Sequence, residues 1–176
     1  MRDFQLGGRS SVFSENGMCA TSTPLAAKVA IQLLESGGNA IDAAIGAAVL
    51  LGLCEPQSTG IGGDCFVLVK SPGEKDIIAL NGSGRSPRNL SSEKLRNAGL
   101  SSIPLHGVEA VTVPGAIDAF CQLSNDWGRK GLEFSLLPAI KYAEEGVSIG
   151  PRTAFDWAGA CLLYTSDAAD EGLGVD

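Results

Sequence analysis

Histidine and clustered positive charge are scarce in this sequence. His106 is the single histidine among 176 residues, and 20 Asp and Glu outnumber 13 Lys and Arg, which gives a formal net charge of -7. Sequence-independent nucleic-acid binding requires a cationic face for the phosphates, so this balance predicts no nucleic-acid partner. One histidine and the lack of a CxxC pair also argue against a zinc site.

Long apolar runs are absent too. The N-terminal MRDFQLGGRSSVFSENG lacks the apolar stretch of about 7–15 residues that secretory signals contain. The longest apolar run, residues 40–53, contains Asp42 and is shorter than the roughly 20 residues of a membrane helix. These features predict a soluble, cytoplasmic protein with no membrane partner. Its cysteines are expected to be free thiols: Cys19, Cys54, Cys65, Cys121 and Cys161.

Two helices joined by a short loop are predicted in the first third of the chain. Thr23 is a good N-cap residue, Pro24 suits the first helical position, and a glycine pair predicts the end of the first helix. Asn39 then caps a second helix, with Asp42 in its first turn. The second helix, AIDAAIGAAVLLGL, consists of small and apolar residues, so we expect it to be buried on most sides.

Strands and further helices complete a predicted layered α+β fold. The predicted strands are Met18–Ser22 and the two strands of a β-hairpin, Cys65–Lys70 and Asp76–Leu80. The remaining helices are predicted as one short helix within residues 81–99, then Ala116–Asn125, about Leu136–Gly146, and one beginning at Pro151.

The stretch EPQSTGIGGD, residues 55–64, joins the second helix to the first hairpin strand and admits three interpretations. A phosphate loop needs its glycines after a strand and at the start of a helix, whereas here a helix precedes them. A metal site would use the carboxylates Glu55, Asp64 and Asp76. It would lack EF-hand spacing and a nearby histidine. The residue types favour a tight corner, in which positive φ or close backbone approach is expected at Gly60, Gly62 and Gly63.

No local pattern supplies a nucleophile. Ser58, Ser83 and Ser86 lie outside a G-x-S-x-G elbow, and His106 has no evident partner. Arg85 is a guanidinium in the glycine-flanked segment NGSGRSP, directly after a predicted strand. It suits bidentate binding of a carboxylate, with a solvated loop arginine as the alternative.

The C-terminal residues 161–171, CLLYTSDAADE, resemble the translation of a transposon adapter used in sequencing libraries. We therefore expect a natural segment over residues 1–160 and an adapter-derived tail over residues 161–176. The tail is excluded from the predicted fold.

Several longer motifs occur in a fixed order. They are ATSTPLA, GGNAIDAA and EPQSTGIGG, followed by VPGAIDAF and AIKYAEEG. These motifs resemble the N-terminal part of the large subunit of the γ-glutamyltransferase (γ-glutamyltranspeptidase) family, and the resemblance covers essentially residues 9–158. The resemblance implies part of an N-terminal-nucleophile (Ntn) hydrolase, a four-layer αββα sandwich made as one precursor.

The resemblance also implies a reaction. In this family the precursor cleaves itself, and the new N-terminal threonine of the small subunit attacks a γ-glutamyl amide, commonly glutathione, to form an acyl-enzyme. The acyl group passes to an amino acid or to water, without a metal or organic cofactor. The nucleophilic threonine and the oxyanion-hole diglycine are expected beyond residue 176, with the small subunit as partner. The fragment alone is therefore expected to be inactive.

The family's carboxylate-binding arginine has no direct counterpart here. The family pattern R-E-x-A-P aligns on Pro87, which places Ser83 at the arginine position and Arg85 two residues later. A shift of two keeps a side chain on the same face of an extended segment, so Ser83 and Arg85 are the predicted substrate-binding residues. Two alternatives stay open: a cephalosporin-acylase-like amidohydrolase, and a non-catalytic fragment or degenerate homologue with a binding or structural role.

Overall fold

The computed structural model describes residues 11–104 and 107–158, and it has the predicted α+β organisation. Its helices are α1 (Pro24–Glu35), α2 (Ala40–Cys54), α3 (Ser92–Asn97), α4 (Ala116–Trp127) and α5 (Leu132–Glu145), with a 3-10 turn at Val108–Ala110. The strands are β1 (Phe66–Val69) and β2 (Ile78–Asn81). Residues 151–158 are also helical. The adapter-like tail, Cys161 and His106 lie outside the described residues.

Helix α2 is the centre of the described fold, as its small residues predict. One apolar cluster forms where α2 packs on α1 and α5, and a second forms where it meets α4 and the hairpin. Gly46 lets the helices approach closely, because a Cβ there would overlap the Leu33 side chain and lie 2.8 Å from the Ser135 carbonyl oxygen. Close packing on both sides of α2 holds α4 and the hairpin in a fixed relation to α1 and α5.

Helix α1 begins at Pro24, as predicted, but the Thr23 side chain does not cap it. The Thr23 hydroxyl donates instead to the Glu55 carboxylate, just past the end of α2, and the Ser22 hydroxyl donates to the same carboxylate at 2.8 Å. The Thr23 hydroxyl is thus used in a tertiary bond and not for the N–H groups of the first helical turn. The start of α1 is thereby joined to the end of α2.

The start of α2 has the predicted cap and an additional tertiary role. Asn39 Oδ1 accepts from the Asp42 N–H at 3.1 Å, and Asp42 Oδ2 accepts from the Asn39 N–H at 2.8 Å, which forms a capping box. The Asp42 side chain is fully buried and also accepts from the backbone N–H groups of Arg129 and Lys130 at 3.1–3.2 Å. It therefore ties the loop between α4 and α5 to α2.

The predicted hairpin is present, with both strands shorter than expected. The strands pair antiparallel, with Phe66 opposite Asn81. Val67 packs into the second apolar cluster, whereas Phe66 and Leu68 point the other way and are 64% and 75% exposed. The outer face of the hairpin comprises Phe66, Leu68, Ala79 and Asn81.

Two predicted elements differ from the structure. Residues 18–22 form no strand, and Cys19 packs against the first apolar cluster instead. Helix α5 begins at Leu132, not near Leu136, because Gly131 with φ +86° turns the chain directly into it, and Pro138 lies inside the helix. In the described ranges no helix combines the length and the apolar character needed to cross a membrane. The four described cysteines are free thiols, as predicted.

Candidate functional site

Residues 60–63 form an exposed corner between α2 and β1. The prediction of positive φ at these glycines is wrong for all of them, and a Cβ at Gly60 or Gly62 would meet no atom within 4 Å. Nothing in the described packing requires glycine at those two positions. The Gly63 carbonyl oxygen accepts the N–H groups of Gly115 and Ala116 at 3.0 and 3.1 Å, so it satisfies the N-terminus of α4. The corner positions the start of α4, and it follows a helix and precedes a strand, the reverse of the order in a phosphate loop.

The carboxylates of the metal interpretation form no site among the described residues. Glu55 is engaged by the Ser22 and Thr23 hydroxyls. Within residues 11–104 and 107–158, no group of three His, Cys, Asp or Glu side chains is placed to hold a metal ion.

Two thiols next to the corner are poorly suited to nucleophilic attack. Burial raises the pKa of the Cys54 thiol, and the neighbouring Glu55 carboxylate raises this pKa further. Burial likewise raises the pKa of Cys65, with a smaller contribution from Asp64. Since the thiolate is the nucleophile, a raised pKa lowers its fraction at neutral pH.

The segment that carries Arg85 is held by backbone on both sides. Gly82 exchanges two hydrogen bonds with Cys65, at 2.7 and 3.3 Å, so the hairpin ladder continues one pair beyond β2. Three residues further on, the Arg85 carbonyl accepts from the Val113 N–H at 2.9 Å. A Cβ at Gly84 would overlap the Val113 carbonyl oxygen, so glycine is needed at position 84 for this segment to approach the segment around Val113.

This backbone arrangement fixes the direction of the Arg85 side chain. A Cβ at Gly82 would lie 2.5 Å from the Ala119 Cβ on α4, so the even-numbered positions of the segment face inward. Ser83 and Arg85 are exposed, whereas Gly84 between them is half-buried. Alternation with the half-buried Gly82 and Gly84 places positions 83 and 85 on the outer side of the hairpin. That the Ser83 and Arg85 side chains act together on this face stays a prediction.

The Arg85 guanidinium is an unpaired cation within the described part of the chain. The side-chain ion pairs there are Lys141–Glu145 and Arg152–Asp156. Arg85 makes no side-chain hydrogen bond to another described residue. A guanidinium in this state is available to an external carboxylate. The roles of Ser83 and Arg85 in substrate binding remain predictions.

Asn81 is a polar neighbour that the sequence interpretation missed. Its Oδ1 accepts the Ser83 N–H at 3.0 Å, which fixes the chain as it leaves β2. Asn81 lies on the outer face, opposite Phe66. The signal that could have revealed it is the two-residue spacing of Asn81, Ser83 and Arg85 directly after a strand.

Ser83 and Arg85 lie on the exposed surface of the described residues. One surface hollow lies between residues 12–19 and α1, and another lies between α1 and α5. Neither hollow is lined by Ser83 or Arg85.

Comparison with protein families gives a match over most of the chain. The family model described as Gamma-glutamyltranspeptidase matches residues 26–167. This range passes residue 160, where the division between natural segment and tail stays a prediction.

Individual relatives agree with this match. The chain is 36% identical over 140 residues to the glutathione hydrolase-like YwrD proenzyme of Bacillus subtilis (strain 168), covering 79% of this chain and 26% of that protein. Its fold is similar to that of cephalosporin acylase from Bacillus halodurans, with a TM-score of 0.82 and 42% identity over 99% of this chain and 31% of that one. It is also similar to the γ-glutamyltranspeptidase from Pseudomonas nitroreducens complexed with L-DON, with a TM-score of 0.78 and 26% identity over 88% and 47% of the two chains. The chain thus spans about a quarter of the length of the curated relative.

Proposed function

The chain belongs to the γ-glutamyltranspeptidase family, and we propose that the full-length protein is an Ntn hydrolase acting on amides whose acyl group carries a carboxylate. The described residues form an α+β part of the fold shared with the cephalosporin acylase and γ-glutamyltranspeptidase structures. A γ-glutamyl amide such as glutathione is the first candidate substrate. A cephalosporin-type acyl amide is the second, favoured by the structural likeness over nearly the whole chain.

The proposed reaction is acyl transfer through an N-terminal threonine in a small subunit released from the same precursor. The threonine hydroxyl attacks the amide carbonyl, and its own amine takes the hydroxyl proton. That proton then passes to the amide nitrogen as the C–N bond breaks, so the product leaves as a neutral amine and the acyl group stays on the threonine oxygen. Water or an amino acid then takes the acyl group from the threonine oxygen. The small subunit is the proposed partner, and the scheme uses neither a metal nor an organic cofactor. The cytoplasmic location expected from the sequence stays a prediction.

Arg85 is the observation that carries the proposal for substrate class. It is a cation without a partner among the described residues, on a segment whose backbone is fixed by Gly84 and Val113. A γ-glutamyl group and a glutaryl group share the same carbon chain and the same carboxylate, and they differ in the amino group. Arg85 can form two parallel hydrogen bonds to that carboxylate in either substrate.

The experiment uses the complete gene and two substrates with one leaving group, γ-glutamyl-p-nitroanilide and glutaryl-p-nitroanilide. We expect self-cleavage into two subunits and release of nitroaniline from at least one substrate. Arg85→Ala should lower kcat/KM about 30-fold or more, since losing a bidentate contact to a carboxylate costs about 2 kcal/mol or more. Arg88→Ala, an exposed arginine three residues away, should change it by less than about twofold.

Two results would count against the proposal in different ways. A precursor that neither cleaves itself nor releases nitroaniline would leave the non-catalytic alternative. An active enzyme whose kcat/KM is unchanged by Arg85→Ala would remove Arg85 from the site and leave the reaction class intact.

A further inference from the structure

Three polar side chains follow one another at alternate positions along the outer side of the hairpin end. Asn81 is the last residue of β2 and pairs with Phe66. The ladder continues through Gly82 and Cys65, and Gly82 and Gly84 are half-buried, so positions 83 and 85 alternate with inward-facing positions and follow Asn81 on the outer side. All three are exposed. We call them the donor row: Asn81, Ser83 and Arg85.

Each member of the donor row presents a hydrogen-bond donor outward. Asn81 Oδ1 is taken by the Ser83 N–H at 3.0 Å, which leaves the Nδ2 group as the free end of this amide. Among the described residues, the Ser83 hydroxyl and the Arg85 guanidinium have no side-chain partner. The long Arg85 side chain can fold back over Ser83, so its guanidinium and the Asn81 amide can approach one anion from two sides. Three converging donors suit a carboxylate.

We propose that Asn81 is a further binding residue for the acyl carboxylate, donating through Nδ2 beside Ser83 and Arg85. The inference rests on the proposed function and adds a residue to its site. Asn81 has two separable tasks: its Oδ1 holds the Ser83 backbone, and its Nδ2 binds the anion. A substitution that keeps the acceptor for the Ser83 N–H but removes the Nδ2 donor tests the role of Asn81 in binding alone.

The test compares variants of the complete enzyme on glutaryl-p-nitroanilide and on butyryl-p-nitroanilide, which has the same chain length apart from the missing carboxylate. Asn81→Asp keeps an acceptor for the Ser83 N–H but replaces the donor with a negative charge. It should raise KM for the glutaryl substrate about tenfold or more, with a smaller effect on kcat, and leave KM for the butyryl substrate unchanged. Asn125→Ala, at an exposed position on α4, should change neither value.

The outcomes separate this inference from the proposed function. If Arg85→Ala raises KM for the glutaryl substrate and Asn81→Asp does not, the role of Asn81 is overturned while the site at Arg85 stands. Equal rises in KM for both substrates would assign Asn81 a structural role and also overturn the inference. If neither variant affects the glutaryl KM, the carboxylate site itself is wrong. Should Asn81→Asp fail to mature, two other variants replace it: Asn81→Ser, which keeps a short donor and acceptor, and Asn81→Ala, which keeps neither. The KM of Asn81→Ser for the glutaryl substrate should then lie between those of the wild type and Asn81→Ala.

Discussion

Replacement of Asp42 by alanine is expected to lower the free energy of unfolding by about 3–5 kcal/mol, a large fraction of the stability of a small domain. The Asp42 side chain is 0% exposed, and its carboxylate accepts from the backbone N–H groups of Asn39, Arg129 and Lys130. These bonds are partly buried, and an N–H that loses its partner in such a place costs up to about 1–3 kcal/mol, with about 1 kcal/mol of the sum from loss of the helix cap. Water entering the space reduces the total below the simple sum of these costs.

Pulse proteolysis in urea at low micromolar concentration measures this change without requiring high solubility. Asp118→Ala is the matched control, because Asp118 also lies in the first turn of a helix but is exposed. Its loss should cost less than about 1 kcal/mol, the usual size of a charge–dipole interaction at a surface. If Asp42→Ala unfolds within 1 kcal/mol of the Asp118 variant, the anchoring role of Asp42 is refuted.

Two further predictions concern the close backbone contact between Gly84 and Val113 and the two faces of the hairpin. Gly84→Ala should lower the free energy of unfolding by about 1–3 kcal/mol in the same assay, because the added Cβ overlaps the Val113 carbonyl. Gly62→Ala is the control and should be nearly neutral, because a Cβ there meets no atom. Equal effects of the two substitutions would refute the close contact between Gly84 and Val113. Phe66→Thr on the exposed outer face should increase the soluble fraction of the expressed chain with little loss of stability. Val67→Thr, which removes apolar packing on the inner face, should lower the free energy of unfolding by about 1–2 kcal/mol. A larger loss of stability for Phe66→Thr than for Val67→Thr would mean that the two faces are assigned wrongly.

The sequence predicts elements well where the signal is local. Thr23-Pro24 and the Asn39–Asp42 capping box lie within a turn of the helices they start, so their spacing alone identifies both boundaries. The hairpin is also local, since its two strands are consecutive and only residues 70–77 lie between them. The two-residue spacing of Ser83 and Arg85 predicts their shared face for the same reason.

The features that the sequence does not reveal join residues far apart along the chain. Asp42 accepts from Arg129, 87 residues away, and no pattern around either residue encodes that bond. The Thr23 hydroxyl reaches Glu55 across 32 residues, although its spacing fits a helix cap equally well. The sequence predicts a role for the conformation of Gly63 itself, yet Gly63 acts through its carbonyl on the start of α4. Tertiary partners determine these roles, while local propensity fixes only where each element begins.

The position of Arg85 follows from the same tertiary constraint. A side chain at position 84 is excluded because its Cβ would overlap the Val113 carbonyl, and position 82 faces Ala119 on α4. Only alternate positions of this segment can therefore carry a side chain toward the outer face. A displacement of the arginine by one residue would remove the cation from that face or break the contact with Val113. A displacement by two keeps both the contact and the face, which is why serine at position 83 and arginine at position 85 are compatible with a carboxylate site in this segment.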